Sequence, residues 1–142
     1  MYQLRTRINK GKEQVFCDWR RKFVRLTPEE RVRQTFLHSL VEDYGYPMNL
    51  ISVEHSICVA GLDKRCDAVV FSRTLLPLCI MEFKAPDVPL TQQVFDQVVV
   101  YNRKLQVRYL IVSNGKQTFC CDVSADGLIF LNKLPDYNII SA

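Results

Sequence analysis

Asp67, Glu82 and Lys84 are the residues of this 142-residue chain whose types and spacing can do chemistry. Cys66–Phe71 and Leu78–Lys84 read as two strands, joined by a short polar connection that ends at Pro77. If Arg73–Leu76 form a four-residue loop, Ser72 faces Pro77. Counting outward along both strands then sets Asp67 opposite Glu82 on one face of the sheet. Side chains opposed in this way have Cβ atoms about 4.5–5.5 Å apart. Two carboxylates at that distance repel unless something positive lies between them. A divalent cation meets the need, and magnesium is commonly held by one or two carboxylates together with water and phosphate oxygens. Strand alternation puts Lys84 on the face of Glu82, where its ammonium can stabilise charge on a phosphate or orient an attacking water. The metal can lower the pKa of that water and polarise a phosphodiester. The chemistry these residues point to is metal-assisted phosphodiester hydrolysis, with Asp67 and Glu82 as ligands of Mg2+, or of Mn2+ in its place.

The plainer alternative is a surface hairpin with a Glu–Lys pair. Cys79-Ile80-Met81 is apolar toward both faces, which marks a sandwiched central strand. Charges at the end of such a strand are costly, and more often used than decorative. Gln93, Gln97 and Tyr101 form one polar stripe on a following helix that must pack near the sheet; a helix edge with a snorkelling tyrosine explains the same stripe. Glu30 has a structural task at a helix start and is also a candidate for contact with the metal or its water. His38 and His55 are isolated and carry no assignment.

The elements that position these residues follow from local signals. Thr27 is the expected N-cap of a first helix, with Pro28 at its first position and Glu30 closing a capping box. Val32, Phe36, Leu37, Leu40, Val41 and Tyr44 recur at helical spacing until Gly45. Leu50–Val59 reads as a strand, with a turn at Gly61-Leu62-Asp63 before the two strands of the acidic pair. Ala85–Leu90 contains Pro86 and Pro89 and must be loop. Thr91 caps a second helix with Val94, Val98, Tyr101 and Leu105 on its apolar face. Tyr109–Ser113, a hairpin turn at Asn114-Gly115, Thr118–Val123, a turn at Asp126-Gly127 and Leu128–Leu131 complete the chain. Helix, three strands, helix, and two or three strands make one α/β sandwich around a mixed sheet.

The length fits a single domain over 1–142. Charge divides it: residues 1–25 hold eight Lys/Arg against Glu13 and Asp18, a net of +6, so the rest sums to −2 within the total of +4. A basic arm over 1–25 ahead of a core over 26–142 points to a polyanionic partner; the competing reading is a solvated tail. The longest apolar stretch, Leu75–Met81, is far below the ~20 residues of a membrane span, and the first residues lack the apolar segment of a signal peptide. A cytoplasmic location is expected. Six cysteines with no C-x-x-C pair favour reduced, packed thiols over disulfides or zinc.

The chain resembles the N-terminal nuclease domain of the type I restriction enzyme R subunit, within the restriction-endonuclease-like PD-(D/E)XK superfamily. The resemblance runs through Arg25-Leu26-Thr27-Pro28-Glu29-Glu30-Arg31-Val32-Arg33-Gln34, Tyr46-Pro47 and Lys64-Arg65-Cys66-Asp67. It continues through Met81-Glu82-Phe83-Lys84-Ala85-Pro86, Gln97-Val98-Val99-Val100-Tyr101-Asn102 and Ser113-Asn114-Gly115, in family order from about Val15 to Pro135. It implies that Asp67 and Glu82 bind magnesium and that Lys84 assists catalysis. Its Gln-x-x-x-Tyr element falls on Gln97 and Tyr101, near the site and the DNA backbone, and its first-helix acid points to Glu30. Cys66 replaces the proline of the superfamily signature. No G-x-x-x-x-G-K-[ST] phosphate loop occurs, so translocation would fall to a helicase or other restriction–modification subunits, and the chain is a stand-alone protein or a fragment.

DNA is the expected partner, with Arg20, Arg21 and Lys22 as candidate phosphate contacts. A lone single-site nuclease often needs a second copy to cut both strands, which makes a homodimer an expectation. Two other readings stay open: a DNA-binding or complex-forming module without useful catalysis, and an interaction domain unrelated to nucleic acid.

Overall fold

The computed structural model describes residues 2–124 and 126–142, so Met1 and Ala125 of the expected 1–142 domain lie outside the described residues. Its main layer is a six-stranded sheet of β4 (Ile51–Val59), β5 (Leu62–Phe71), β6 (Pro77–Phe83), β7 (Tyr109–Ser113), β8 (Thr118–Ser124) and β9 (Gly127–Phe130). The strands lie side by side in chain order. All neighbours are antiparallel except β6 and β7. That parallel pair requires a crossover, and α2 (Gln92–Leu105) makes it.

Strand alternation supplies both faces with apolar side chains. Ala68, Val70, Met81, Phe83 and Ile111 pack under α1 (Pro28–Asp43), against Val32, Leu37 and Leu40. Val69, Ile80, Leu110 and Val112 pack under Val94, Val98 and Tyr101 of α2. The mixed sandwich expected from the sequence is the observed fold. A short helix, α3 (Tyr137–Ile140), had no signal in the sequence reading. Tyr46 explains its position: the Tyr46 hydroxyl donates to the Pro135 carbonyl at 2.8 Å, and Tyr137 donates to that of Phe71 at 3.0 Å. Tyr46 thus ties the C-terminal segment to the core.

Residues 1–25, read from charge as an arm, contain a second sheet of β1 (Thr6–Asn9), β2 (Lys12–Cys17) and β3 (Lys22–Arg25), all antiparallel. Its inner face buries Val15 and Cys17 completely. Trp19 donates to the Met48 carbonyl at 3.1 Å, and Tyr2 stacks on His38 of α1 with ring centroids 3.4 Å apart. The apolar runs that make strands of this stretch, Val15-Phe16-Cys17 and Phe23-Val24, are short and lie hidden among Lys and Arg.

Three turns differ from expectation. The β4–β5 turn is Ala60-Gly61, both at positive φ, rather than Gly61-Leu62-Asp63. The β7–β8 loop spans four residues between Ser113 and Thr118. The Asn114 side chain closes it by accepting from the Lys116 and Gln117 amides, so Asn114-Gly115 is not a two-residue hairpin. At the β5–β6 end Phe71, not Ser72, faces Pro77, and an irregularity after Val70 restores the expected register from Cys79 inward.

The α1 cap is as expected on one side only: Thr27 accepts from the Glu30 amide at 3.0 Å. The Glu30 carboxylate does not return the bond, because two arginines and a glutamine hold it elsewhere. Thr27→Ala should therefore lower stability by about 1 kcal/mol in urea unfolding. A loss below a few tenths would show that the cap contributes nothing here.

Candidate active site

Asp67 and Glu82 lie where the ladder between β5 and β6 gives way. The last ladder pair is Ala68 with Met81. One step further the register sets Asp67 beside Glu82, and there the Asp67 carboxylate accepts from the Phe83 amide at 2.7 Å. A side chain thus takes the place of a backbone bond, which opens the strands and fixes the carboxylate between them. On the other side of β5, Glu54 stands opposite Asp67, between the pairs Val53–Ala68 and His55–Cys66, with a φ of 56°. Three acids therefore run in one row across the three strands β4, β5 and β6.

The row is neutralised unevenly. At the β4 end, Arg20 bonds Glu54 at 2.9 Å and Glu30 at 2.6 Å; Arg33 bonds Glu30 at 2.5 Å. Gln34 donates to Glu30 at 2.8 Å, and Arg65 reaches Glu54 at 3.1 Å. Arg33 also approaches Asp67 at 3.8 Å. Burial would raise the pKa of Glu30, yet bonds from Arg33, Arg20 and Gln34 hold it below the usual range.

Among the described residues, only Lys84 pairs with Glu82 at the β6 end, at 3.5 Å, and the buried Oε2 of Glu82 has no hydrogen-bond partner. Burial, then the Asp67 charge, push Glu82 up to about 8. Burial also raises Asp67, opposed by the Phe83 amide and Arg33. Cys66 is driven to about 12 by burial and the same two carboxylates, so it is a thiol and no nucleophile.

Two adjoining acids, one with a buried oxygen that has no hydrogen-bond partner among the described residues, fit the donor set of a divalent cation. Among the described residues, no group of three His, Cys, Asp or Glu side chains converges on a metal position. Asp67 and Glu82 are the residues able to hold one, with water and phosphate oxygens filling the remaining positions.

Lys84, paired with Glu82, lines a groove of about 680 Å³ together with Glu29, Thr91, Gln93, Val94 and Gln97. Gln97 donates to the Tyr101 hydroxyl at 2.8 Å. Tyr101 is raised by burial and by the charges of Glu82 and Asp67, which sets it beside them. The 85–90 loop at the groove mouth is held by Asn114, whose amide donates to the Val88 carbonyl at 2.9 Å.

Asp67, Glu82, Lys84, Gln97 and Tyr101 are thus brought to one place. Glu30 lies in the arginine cluster instead. Glu29, one residue earlier, lines the groove, and its charge raises both Asp67 and Glu82. Arg20 is internal to the cluster, while Arg21 and Lys22 are exposed. Glu29, Arg33 and Glu54 had no role in the sequence reading. Glu54 was within reach: placing the turn at Ala60-Gly61 sets it opposite Asp67. Nothing local distinguished Glu29 from Glu30.

Residues 28–135 match the family model described as the type I restriction enzyme R protein N terminus. A solved fragment described as an HsdR subunit of a type I restriction enzyme from Vibrio vulnificus YJ016 shares the fold, with a TM-score of 0.59 at 18% identity. The match covers 78% of this chain and 24% of that one, so the chain spans about a quarter of its length. A comparison with curated proteins finds no match.

An ordinary glutamate titrates near 4.5, and the folded state raises Glu82 to about 8. Between these values the folded protein holds a proton that the unfolded chain releases, so stability falls as pH rises. Thermal unfolding in EDTA should show Tm declining from about pH 5 to 8, and Glu82→Gln should flatten that decline. An equally steep decline in Glu82→Gln would assign it to another group.

Proposed function

This chain belongs to the type I restriction enzyme R protein N-terminal family, and we propose that it is a metal-dependent DNA endonuclease domain. The observation that carries the proposal is the half-buried Asp67 beside the buried Glu82, with one Glu82 oxygen unpartnered among the described residues and Lys84 reaching from the pair to a groove. A divalent cation bound there would supply Lewis acidity toward a phosphodiester and a water of lowered pKa.

The protein's own groups do the rest. The Phe83 amide fixes Asp67, and the burial that raises Glu82 keeps competing water away from its carboxylate. Lys84 presents a positive charge to the phosphate and gives up its contact with Glu82 when a stronger cation takes that oxygen. Gln97, tied to Tyr101, offers its amide to the scissile phosphate or to the attacking water. Glu29 adds a third negative charge at the groove and is the first-helix acid best placed to act there; Glu30 braces the arginines. Translocation along DNA falls to a motor and partner subunits of a restriction complex.

A second reading, a complex-forming module without catalysis, is favoured by Arg33 and Lys84: both acids already have a cation within 4 Å. Nicking of supercoiled plasmid in Mg2+ or Mn2+, with EDTA as control, separates the two. Asp67→Asn, Glu82→Gln and Lys84→Ala should each lower the rate at least about 100-fold. A triple variant that nicks like the wild type would refute the nuclease. DNA binding with no metal-dependent nicking would establish the second reading.

The two helix acids should separate by phenotype. Glu29→Gln should lower the nicking rate with stability unchanged. Glu30→Ala should destabilise by about 3–5 kcal/mol, because it leaves the buried Arg33 guanidinium and the half-buried Arg20 one short of a partner. The opposite pattern would return the metal-site role to Glu30.

A further inference from the structure

We propose that the outer face of the β1–β3 sheet is a second DNA-binding surface, one that grips the phosphate backbone of a duplex and leads it to the groove. The proposal rests on the nuclease reading only for the identity of its partner. On this face Arg7, Gln14 and Arg25 stand in one row across the three strands, and Phe16 and Phe23 pair in the next. Lys12 lies further out on the same face. Val15 and Cys17 point the other way, into the protein.

Arg7, Lys12 and Arg25 are exposed and make no ion pair among the described residues. Arg7 is held from two sides: its guanidinium lies 3.8 Å over the Phe23 ring, and its Nε donates to Gln14 at 2.8 Å. An exposed arginine ordinarily loses rotamer freedom when it binds. This one is already ordered, with its two terminal nitrogens left for a phosphate, the group its fork fits bidentately. Arg5, over the Phe16 ring at 4.4 Å and paired with Asp18, extends the row.

The same stacking decides which part of the nucleic acid is recognised. A guanidinium covers one face of each phenyl ring and the two rings meet edge to face, so little aromatic surface is left on which an unpaired base can stack. Contact with phosphates alone is left, which makes the surface indifferent to sequence and sensitive to salt. The route to the groove is short in the chain. Arg25 ends β3, Thr27 caps α1, and Glu29 in the first turn of α1 lines the groove. The Arg20–Glu30 and Arg20–Glu54 contacts brace the small sheet against α1 and the acidic row.

Fluorescence anisotropy with a duplex oligonucleotide in EDTA, at several salt concentrations, tests the proposal. Arg7→Gln/Arg25→Gln should weaken binding about tenfold and flatten the slope of log affinity against log salt by about two. The charge-matched double Arg103→Gln/Lys104→Gln, at the far end of α2, should leave the slope intact. Circular dichroism melts confirm that both doubles are folded, and Arg7→Lys keeps the charge while removing the fork. It should retain the slope and lose part of the affinity.

Binding by Arg7→Gln/Arg25→Gln that equals wild type overturns the proposal and leaves an acidic protein as the ligand of this face. Equal losses in both doubles overturn it too, because the attraction would then be diffuse. Plasmid nicking keeps the two readings apart. A wild type that binds through Arg7 and Arg25 without nicking sinks the nuclease and sustains this surface. Nicking with unchanged binding in the Arg7/Arg25 variant does the reverse.

Discussion

Everything in this molecule turns on a row of three carboxylates, Glu54, Asp67 and Glu82, laid side by side across the first three strands of a sheet. Like charges at cross-strand distance destabilise a sheet, and burial makes Asp67 and Glu82 harder to ionise. At Glu54 the charge is met by arginines from β2–β3, α1 and β5. At Glu82 it is met by one lysine and a protonation shift. The first end is a closed electrostatic network and belongs to the scaffold. The second is left incomplete, and an incomplete site is where a ligand binds.

The two helices divide the work in the same way. α1 lies on one face and sends Arg33 toward Asp67, while Glu30 on the preceding turn anchors that arginine and draws in Arg20. α2 lies on the other face and presents Gln97 and Tyr101. The acidic row sits where β5 and β6 part, so it is reached from both sides. The fold and the site are therefore not separable: the crossover that makes β6 and β7 parallel is the helix that supplies the second wall of the groove.

The small N-terminal sheet enters this scheme as more than an appendage. Arg20 lies in its β2–β3 turn and takes part in the buried cluster, so the sheet is fastened to the acidic row by charge as well as by Trp19, Tyr2 and His38. Buried pairs of this kind are weak evidence for stability. Their better use is to fix orientation, here that of a basic face relative to a groove.

Local signals in the sequence determined a good deal. Thr27-Pro28 started α1 and Thr91 preceded α2; the prolines of 85–90 fixed a loop. Apolar runs gave the central strands, and counting back from the Pro77 turn set Asp67 beside Glu82. Each of these depends on neighbours in the chain, through backbone dihedrals or strand alternation, and so can be read from a string. The strands in the basic stretch were not legible, because charge on the outer face masked a pattern carried by only a few buried residues. Tertiary structure alone decided that Glu30 serves the arginines while Glu29 faces the groove, and that Arg20 is an internal partner. Those outcomes depend on which side chains from distant segments meet in space. Ion pairing and burial act through distance, and distance is set only when the chain has folded.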